Sequence, residues 1–236
     1  GGRHSFGYVV APSLRKLGIE PDAVVLSHPD GGHLGGGSPV WEAFPIRQAL
    51  LPARLSRSPS FRSWVSEGPE NGVRLLPAIA GTILPMPDGA SLEILHTPDA
   101  LAVNALADER VALFRLHWRG WKLLFTSDAG MGAEMRLLES GKDLAADVII
   151  AGRNRSDLSL CDAFLDAVNP LAIVASNAPF PAGEALDPET VAYWKSRGTH
   201  VIDQARSGGV TLSVADSGSL HIEGFLSPAP IVLNPR

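Results

Sequence analysis

The chain has 236 residues, of which 45% are hydrophobic and 19% are charged. This composition excludes an intrinsically disordered chain and leaves enough apolar surface for a substantial core. The formal net charge of -5 argues against binding to nucleic acid through bulk positive charge. The single cysteine, Cys161, cannot form a disulfide within the chain, and no apolar run approaches the length of a membrane-spanning helix.

The predicted elements alternate between strands and helices along the chain. Apolar residues at helical spacing predict a helix over residues 8–17 that ends at Gly18, and the apolar run at 22–27 predicts a strand covered on both faces. Further helices are predicted at 61–68, 133–141, 161–170 and 187–198, and further strands at 72–77, 90–96, 110–118, 121–128, 146–152, 171–176, 199–203, 209–214 and 219–224. This order predicts one layered α/β domain over residues 1–236.

A glycine-rich loop follows the strand predicted at 22–27. It contains His28, Asp30 and His33, and imidazole and carboxylate groups are usual protein ligands of zinc and manganese. Glycines allow the tight backbone folding that lets such side chains converge. The alternative interpretation is a tight surface turn that carries incidental histidines.

Several segments resemble one protein family. The residues L-S-H-P-D-G-G-H-L-G-G at 26–36 are similar to the H-x-[HD]-x-D-H-x-G-G loop of the metallo-β-lactamase fold. F-T-S-D-A-G at 125–130 and A-G-R-N-R-S at 151–156 stand where that fold has T-G-D and G-H-H-G-S. Over nearly its whole length the chain resembles the soluble domain of ComEC-type DNA-internalisation (competence) proteins. The resemblance implies a metallo-β-lactamase-type αββα four-layer sandwich that lacks the opening strands, and we therefore expect a fragment of a larger chain.

The resemblance also implies a degenerate metal site. Its metal ligands would be His28, Asp30, His33 and Asp128, and Asp30 and Asp128 would be the catalytic carboxylates. Gly32, Arg153 and Asn154 replace other ligands of the family, and neither glycine nor a permanently charged arginine can bind a metal through its side chain. We therefore expect at most one Mn or Zn ion, or none, and weakened or lost hydrolysis.

The two arginines beside this site have two interpretations. Arg153 and Arg155 could replace the metal charge with guanidinium charge and bind an anion such as a phosphate. Alternatively, they form ion pairs with nearby carboxylates and fill an obsolete cavity.

The resemblance implies a function in DNA uptake. The ancestral activity would be that of a metal-dependent phosphodiester hydrolase (a nuclease) acting on incoming DNA. The expected partners are DNA and the membrane-channel portion of the same or a partner protein, with the soluble domain tethered to the bacterial inner membrane. One alternative is a catalytically inactive DNA-handling or structural module of a membrane channel. Another is a small-molecule metallo-hydrolase, because this fold hosts many substrates, although we do not expect a small-molecule substrate.

Overall fold

The computed structural model of this chain describes residues 6–29, 34, 39–52, 58–98, 110–152, 159–177 and 185–236. The chain divides into two compact units. The first comprises Gly1–Ala80 and His96–Ala112, and the second comprises Gly81–Leu95 and Leu113–Arg236. The interpretation of residues 1–236 as one domain stays a prediction. None of the helices in the described ranges combines the length and the apolar character that crossing a bilayer requires.

The first unit contains a small parallel sheet. Its elements are a π-helical turn Phe6–Val10, α1 Ala11–Lys16, β1 Ala23–Val25, α2 Pro39–Ala43, β2 Gln48–Leu51, α3 Pro59–Glu70 and β3 Arg74–Pro77. The strands pair in parallel in the order β1-β2-β3. The core of this unit includes the indoles of Trp41 and Trp64, whose ring centroids lie 4.3 Å apart with the ring planes tilted by 41°. This sheet positions residues 26 and 27, which directly follow β1.

The burial of β1 differs from the sequence prediction. A strand forms where the apolar run predicts one, but Ala23 is exposed and Val25 is 44% exposed. In the described sheet β1 is an edge strand with β2 as its neighbour, and edge strands have less cover than central strands. The prediction of a strand is confirmed, and the prediction that both of its faces are covered is wrong.

The second unit contains a larger mixed sheet. Its elements are β4 Ile83–Pro85, a 3₁₀ turn Pro87–Gly89, β5 Ser91–His96, β6 Leu113–Trp118, β7 Trp121–Ser127, α4 Met131–Glu139, β8 Val148–Ala151, α5 Asp162–Val168, β9 Ala172–Ala175, α6 Pro188–Ser196, β10 His200–Asp203, α7 Gln204–Ser207, β11 Val210–Val214, β12 Leu220–Gly224 and β13 Ile231–Leu233. Seven of these strands form one sheet in the order β10-β9-β8-β7-β6-β5-β4, and the last three form an antiparallel sheet.

Local sequence signals explain several of these elements. Arg119 and Gly120 join β6 to β7 and both have positive φ, 49° and 87°, as a type I′ hairpin turn requires. The Asp187 side chain accepts a hydrogen bond from the backbone N–H of Glu189 and caps α6. The predicted hairpin and the predicted start of this helix are therefore confirmed.

The carboxyl ends of parallel strands meet at one edge of the large sheet. Strands β7, β8, β9 and β10 pair in parallel. The backbone N–H of Gly152, after β8, donates to the carbonyl of Ser127 at 2.7 Å, and the N–H of Ser176, after β9, donates to the carbonyl of Ala151 at 2.7 Å. This edge therefore brings together the turn after β7 and the residue that follows β8.

A partly buried ionic cluster lies on β5 and β6 of the same unit. Arg115 donates from Nη2 and Nε to Glu93 Oε2 at 2.7 and 3.0 Å, and from Nη1 to the carbonyl oxygens of Asp143 and Ala145 at 2.8 and 3.1 Å. His117 Nε2 lies 3.1 Å from the same carboxylate oxygen. The side chains of Arg115 and Glu93 are only 6% and 19% exposed, so removing either partner would leave a charge in a poorly solvated place.

Candidate functional site

His28 lies shortly after β1, next to backbone that hydrogen bonds hold in place. The N–H of Leu26 donates to the carbonyl of Leu50 at 3.0 Å, and the carbonyl of Ser27 accepts from the N–H of Ala112 at 2.7 Å. The His28 side chain is fully buried, and its Nδ1 lies 3.2 Å from Ser27 Oγ. The ring is therefore fixed by the sheet of the first unit, in the type of location where loops carry functional groups.

Asp128 follows a strained turn at the end of β7. The register between β7 and β8 shifts between Phe125 and Ser127, and Ser127 has φ of 50°, a left-handed conformation that favours glycine. Ser127 occupies the glycine position of the T-G-D motif suggested by the resemblance. The turn keeps a glycine-like backbone without the glycine, and this backbone sets the position of Asp128.

Asp128 lies directly against Gly152. A Cβ atom at position 152 would overlap Asp128 Oδ1 and would lie 2.8 Å from both the carbonyl carbon and the carbonyl oxygen of Ser127. The carboxylate therefore occupies space that is open because residue 152 has no side chain. This contact was not among the sequence predictions, although a glycine that ends the apolar run V-I-I-A is a recognised sign of close backbone approach.

A second carboxylate, that of Glu134, binds the backbone just before α5. Glu134, on α4, is fully buried and accepts hydrogen bonds from the backbone N–H groups of Leu160 at 2.6 Å and Cys161 at 2.9 Å. Leu160 has φ of 58°, so Glu134 holds a strained backbone in place. Glu134 was not among the predicted site residues. The sequence signal that could have identified Glu134 is its position three residues before Leu137 and next to Ala133, on the apolar face of the predicted helix.

The remaining predicted site residues lie outside the described residues. They are Asp30, Gly32, His33, Arg153, Asn154 and Arg155. His28 and Asp128 belong to different compact units. Within the parts of the chain that the structure describes, no group of three or more His, Cys, Asp or Glu side chains is arranged to hold a metal. The nitrogen and oxygen donors of His28 and Asp128 fit Zn or Mn chemically, and the four-ligand site stays a prediction.

The strain at Ser127 leads to a first testable expectation. Replacing Ser127 with glycine should raise the free energy of unfolding by about 0.5–1 kcal/mol, since glycine adopts positive φ without a steric penalty. Chemical denaturation of the purified variant measures this change. Ser66→Gly, at an exposed position inside α3, is the matched control and should instead lower stability by about the same amount. Equal destabilisation by both substitutions would contradict the expectation.

Two curated proteins are similar to the chain over part of its length. ComE operon protein 3 of Bacillus subtilis (strain 168) is 22% identical over 171 residues, which cover 71% of this chain and 21% of that protein. Recombination protein 2 of Haemophilus influenzae is 30% identical over 59 residues, which cover 25% of this chain and 8% of that protein. The similarity thus spans about a fifth or less of each relative, and no protein-family profile matches the chain.

Two solved structures match the chain over a larger share of both lengths than the curated relatives do. Igni18, a metallo hydrolase from Ignicoccus hospitalis KIN4/I, superposes with a TM-score of 0.52 at 15% identity and covers 77% of this chain and 75% of its own. A protein described as a metal-dependent hydrolase from Parabacteroides distasonis ATCC 8503 gives a TM-score of 0.51 at 12% identity, with coverage of 78% and 77%. At these identities the likeness shows the fold alone. The chain has the mixed α/β fold of metallo-β-lactamase-type hydrolases, as the sequence predicts.

Proposed function

We propose that this chain is a metal-dependent hydrolase domain that acts on DNA phosphodiesters as part of a larger competence-type DNA-uptake protein. The hydrolase fold and the similarity to ComE operon protein 3 over 71% of the chain support this proposal. The observation that carries it is the turn at Ser127, where a positive φ, which favours glycine, falls at the glycine position of the T-G-D motif and the Asp128 carboxylate follows at the carboxyl edge of the sheet.

The proposed metal ligands are His28, Asp30, His33 and Asp128. A bound Zn or Mn ion would supply a hydroxide near neutral pH by lowering the pKa of a coordinated water. His28 would contribute a rigid nitrogen donor, because its ring is buried in the segment that follows β1. Asp128 would contribute an oxygen donor with a fixed orientation, because its carboxylate lies against the backbone of Gly152.

A second candidate is a catalytically inactive module that handles DNA beside a membrane channel. The replacement of three family ligand positions by Gly32, Arg153 and Asn154 favours it. In this interpretation Arg153 and Arg155 bind phosphate groups without a metal. Under either candidate, the domain is tethered to the bacterial inner membrane by the remainder of the longer protein, and DNA is the expected partner.

Metal content separates the two candidates. After loading with Mn²⁺ or Zn²⁺ and desalting, the chain should retain about one ion, measured by mass spectrometry. The His28→Ala variant should retain several-fold less. His200→Ala, at an exposed histidine on β10, is the control and should match the unsubstituted chain. Retention should be accompanied by slow DNA cleavage that a chelator stops. An unsubstituted chain that retains no metal would overturn the hydrolase proposal and favour the inactive module.

A further inference from the structure

Position 152 needs a glycine because a side chain would not fit there, and not because of its φ. Its φ lies outside the positive range in which glycine is favoured, so φ alone does not require glycine here. A Cβ atom at this position would nevertheless overlap Asp128 Oδ1 and crowd the carbonyl group of Ser127. The lack of a side chain at residue 152 is therefore what leaves room for the Asp128 carboxylate.

The backbone around Gly152 has little freedom to move away from Asp128. The N–H of Gly152 donates to the carbonyl of Ser127 at 2.7 Å, and the preceding residue, Ala151, is paired with Ser127 in the β7–β8 ladder. The carbonyl of Ala151 also accepts from Ser176 at 2.7 Å. Because hydrogen bonds on both neighbouring strands hold this backbone, an added methyl group would displace the Asp128 carboxylate from its position and press on the carbonyl group of Ser127.

We infer that Gly152 is a positioning residue for Asp128. Gly152 is not itself a ligand, but it sets the orientation in which Asp128 would bind the metal. This inference rests on the proposed function. The carboxylate keeps this orientation only while position 152 has no side chain. Mutation of a residue that orients a metal ligand typically weakens metal binding by about 10- to 100-fold.

The test compares two glycine-to-alanine variants of the full chain. Gly152→Ala should weaken Mn²⁺ binding by about 10- to 100-fold, measured from the electron paramagnetic resonance signal of free Mn²⁺ during titration. Gly132→Ala is the matched control, because a Cβ there would meet only the Arg136 guanidinium, 3.8 Å away, inside α4. It should leave Mn²⁺ affinity unchanged. Equal affinities for Gly152→Ala and the unsubstituted chain would overturn the inference.

A second measurement keeps the inference testable if Gly152→Ala folds poorly. Removing the overlapping carboxylate in Asp128→Ala/Gly152→Ala should raise the Tm above that of Gly152→Ala by about 2–4 °C. A double variant whose Tm is no higher than that of Gly152→Ala would overturn the inference. If the unsubstituted chain binds no Mn²⁺, the proposed function fails, and this Tm comparison still decides whether Gly152 sets the position of Asp128.

Discussion

Replacing Arg115 with methionine is expected to lower the free energy of unfolding by about 2–4 kcal/mol. The substitution keeps most of the side-chain volume but removes the guanidinium that binds Glu93 and two backbone carbonyl oxygens. Glu93 would then be a largely buried carboxylate without its main partner, and such a loss typically destabilises a protein by several kcal/mol. We set the expectation below the upper limit because the Glu93 side chain is still 19% exposed.

Urea denaturation of matched variants measures the effect of Arg115. Arg136→Met removes an exposed arginine from α4 and should change stability by no more than about 0.5 kcal/mol. Replacing Arg115 and Glu93 together with apolar residues should restore part of the loss, because no unpaired charge then remains. If Arg115→Met and Arg136→Met have the same effect, the cluster does not stabilise the fold.

The same cluster should make stability depend on pH. Burial alone would raise the pKa of Glu93, but hydrogen bonds from His117 and Arg115 and the positive charge of Arg115 outweigh it, and the pKa lies below its ordinary value of 4.5. A carboxylate with a lowered pKa in the folded state adds stability above its unfolded pKa and loses it as pH falls through the folded pKa. The stability difference between the unsubstituted chain and Glu93→Gln should therefore be full at neutral pH and shrink below pH 4.5.

Glu134→Ala is expected to lower the free energy of unfolding by about 3 kcal/mol. The backbone N–H groups of Leu160 and Cys161 would lose their acceptor, and an unsatisfied buried donor costs about 1–3 kcal/mol. The strained backbone of Leu160 would also lose the contact that holds it. Glu134→Gln should cost less, because the amide keeps one oxygen acceptor. Chemical denaturation would measure both, with the exposed Glu139→Ala at the end of α4 as the control.

The reactivity of the single cysteine provides an independent measurement of Glu134. Burial raises the pKa of the Cys161 thiol above its ordinary value of 9.0, and the hydrogen bond and negative charge of Glu134 raise it further. Glu134→Gln removes that charge, so the pKa should fall and a larger fraction of thiolate should react with a disulfide reagent at a given pH. An unchanged reaction rate in folded Glu134→Gln would contradict the proposed electrostatic coupling.

Elements with strong periodicity or clear end signals were predictable from the sequence. The hairpin at Arg119–Gly120 and the helix capped by Asp187 have such signals, and both form where predicted. The predictions missed short elements, namely α2 Pro39–Ala43, β2 Gln48–Leu51, β4 Ile83–Pro85, α7 Gln204–Ser207 and β13 Ile231–Leu233. Segments of three to five residues are too short to show a period, and pairing with neighbouring strands stabilises the short strands.

The candidate site was predictable only in its residue types. The sequence placed His28 after a strand and Asp128 at the end of another, because motifs and apolar runs are local features. The left-handed Ser127, the open space at Gly152 and the burial of Glu134 depend on which strands and helices become neighbours. No local pattern encodes those distances, since residues 128 and 152 meet only after β7 and β8 have paired.

The sequence by itself determined the α/β class and most element positions, and it predicted the donor atoms of the candidate metal site. These follow from hydrophobic periodicity, turn residues and short motifs, which act over a few neighbouring residues. Only the tertiary structure decided that β1 is a partly exposed edge strand, that Arg115 and Glu93 form a buried pair, and that Asp128 lies against Gly152. The reason is physical: burial, ion pairing and close approach are set by packing between segments that are distant in the chain.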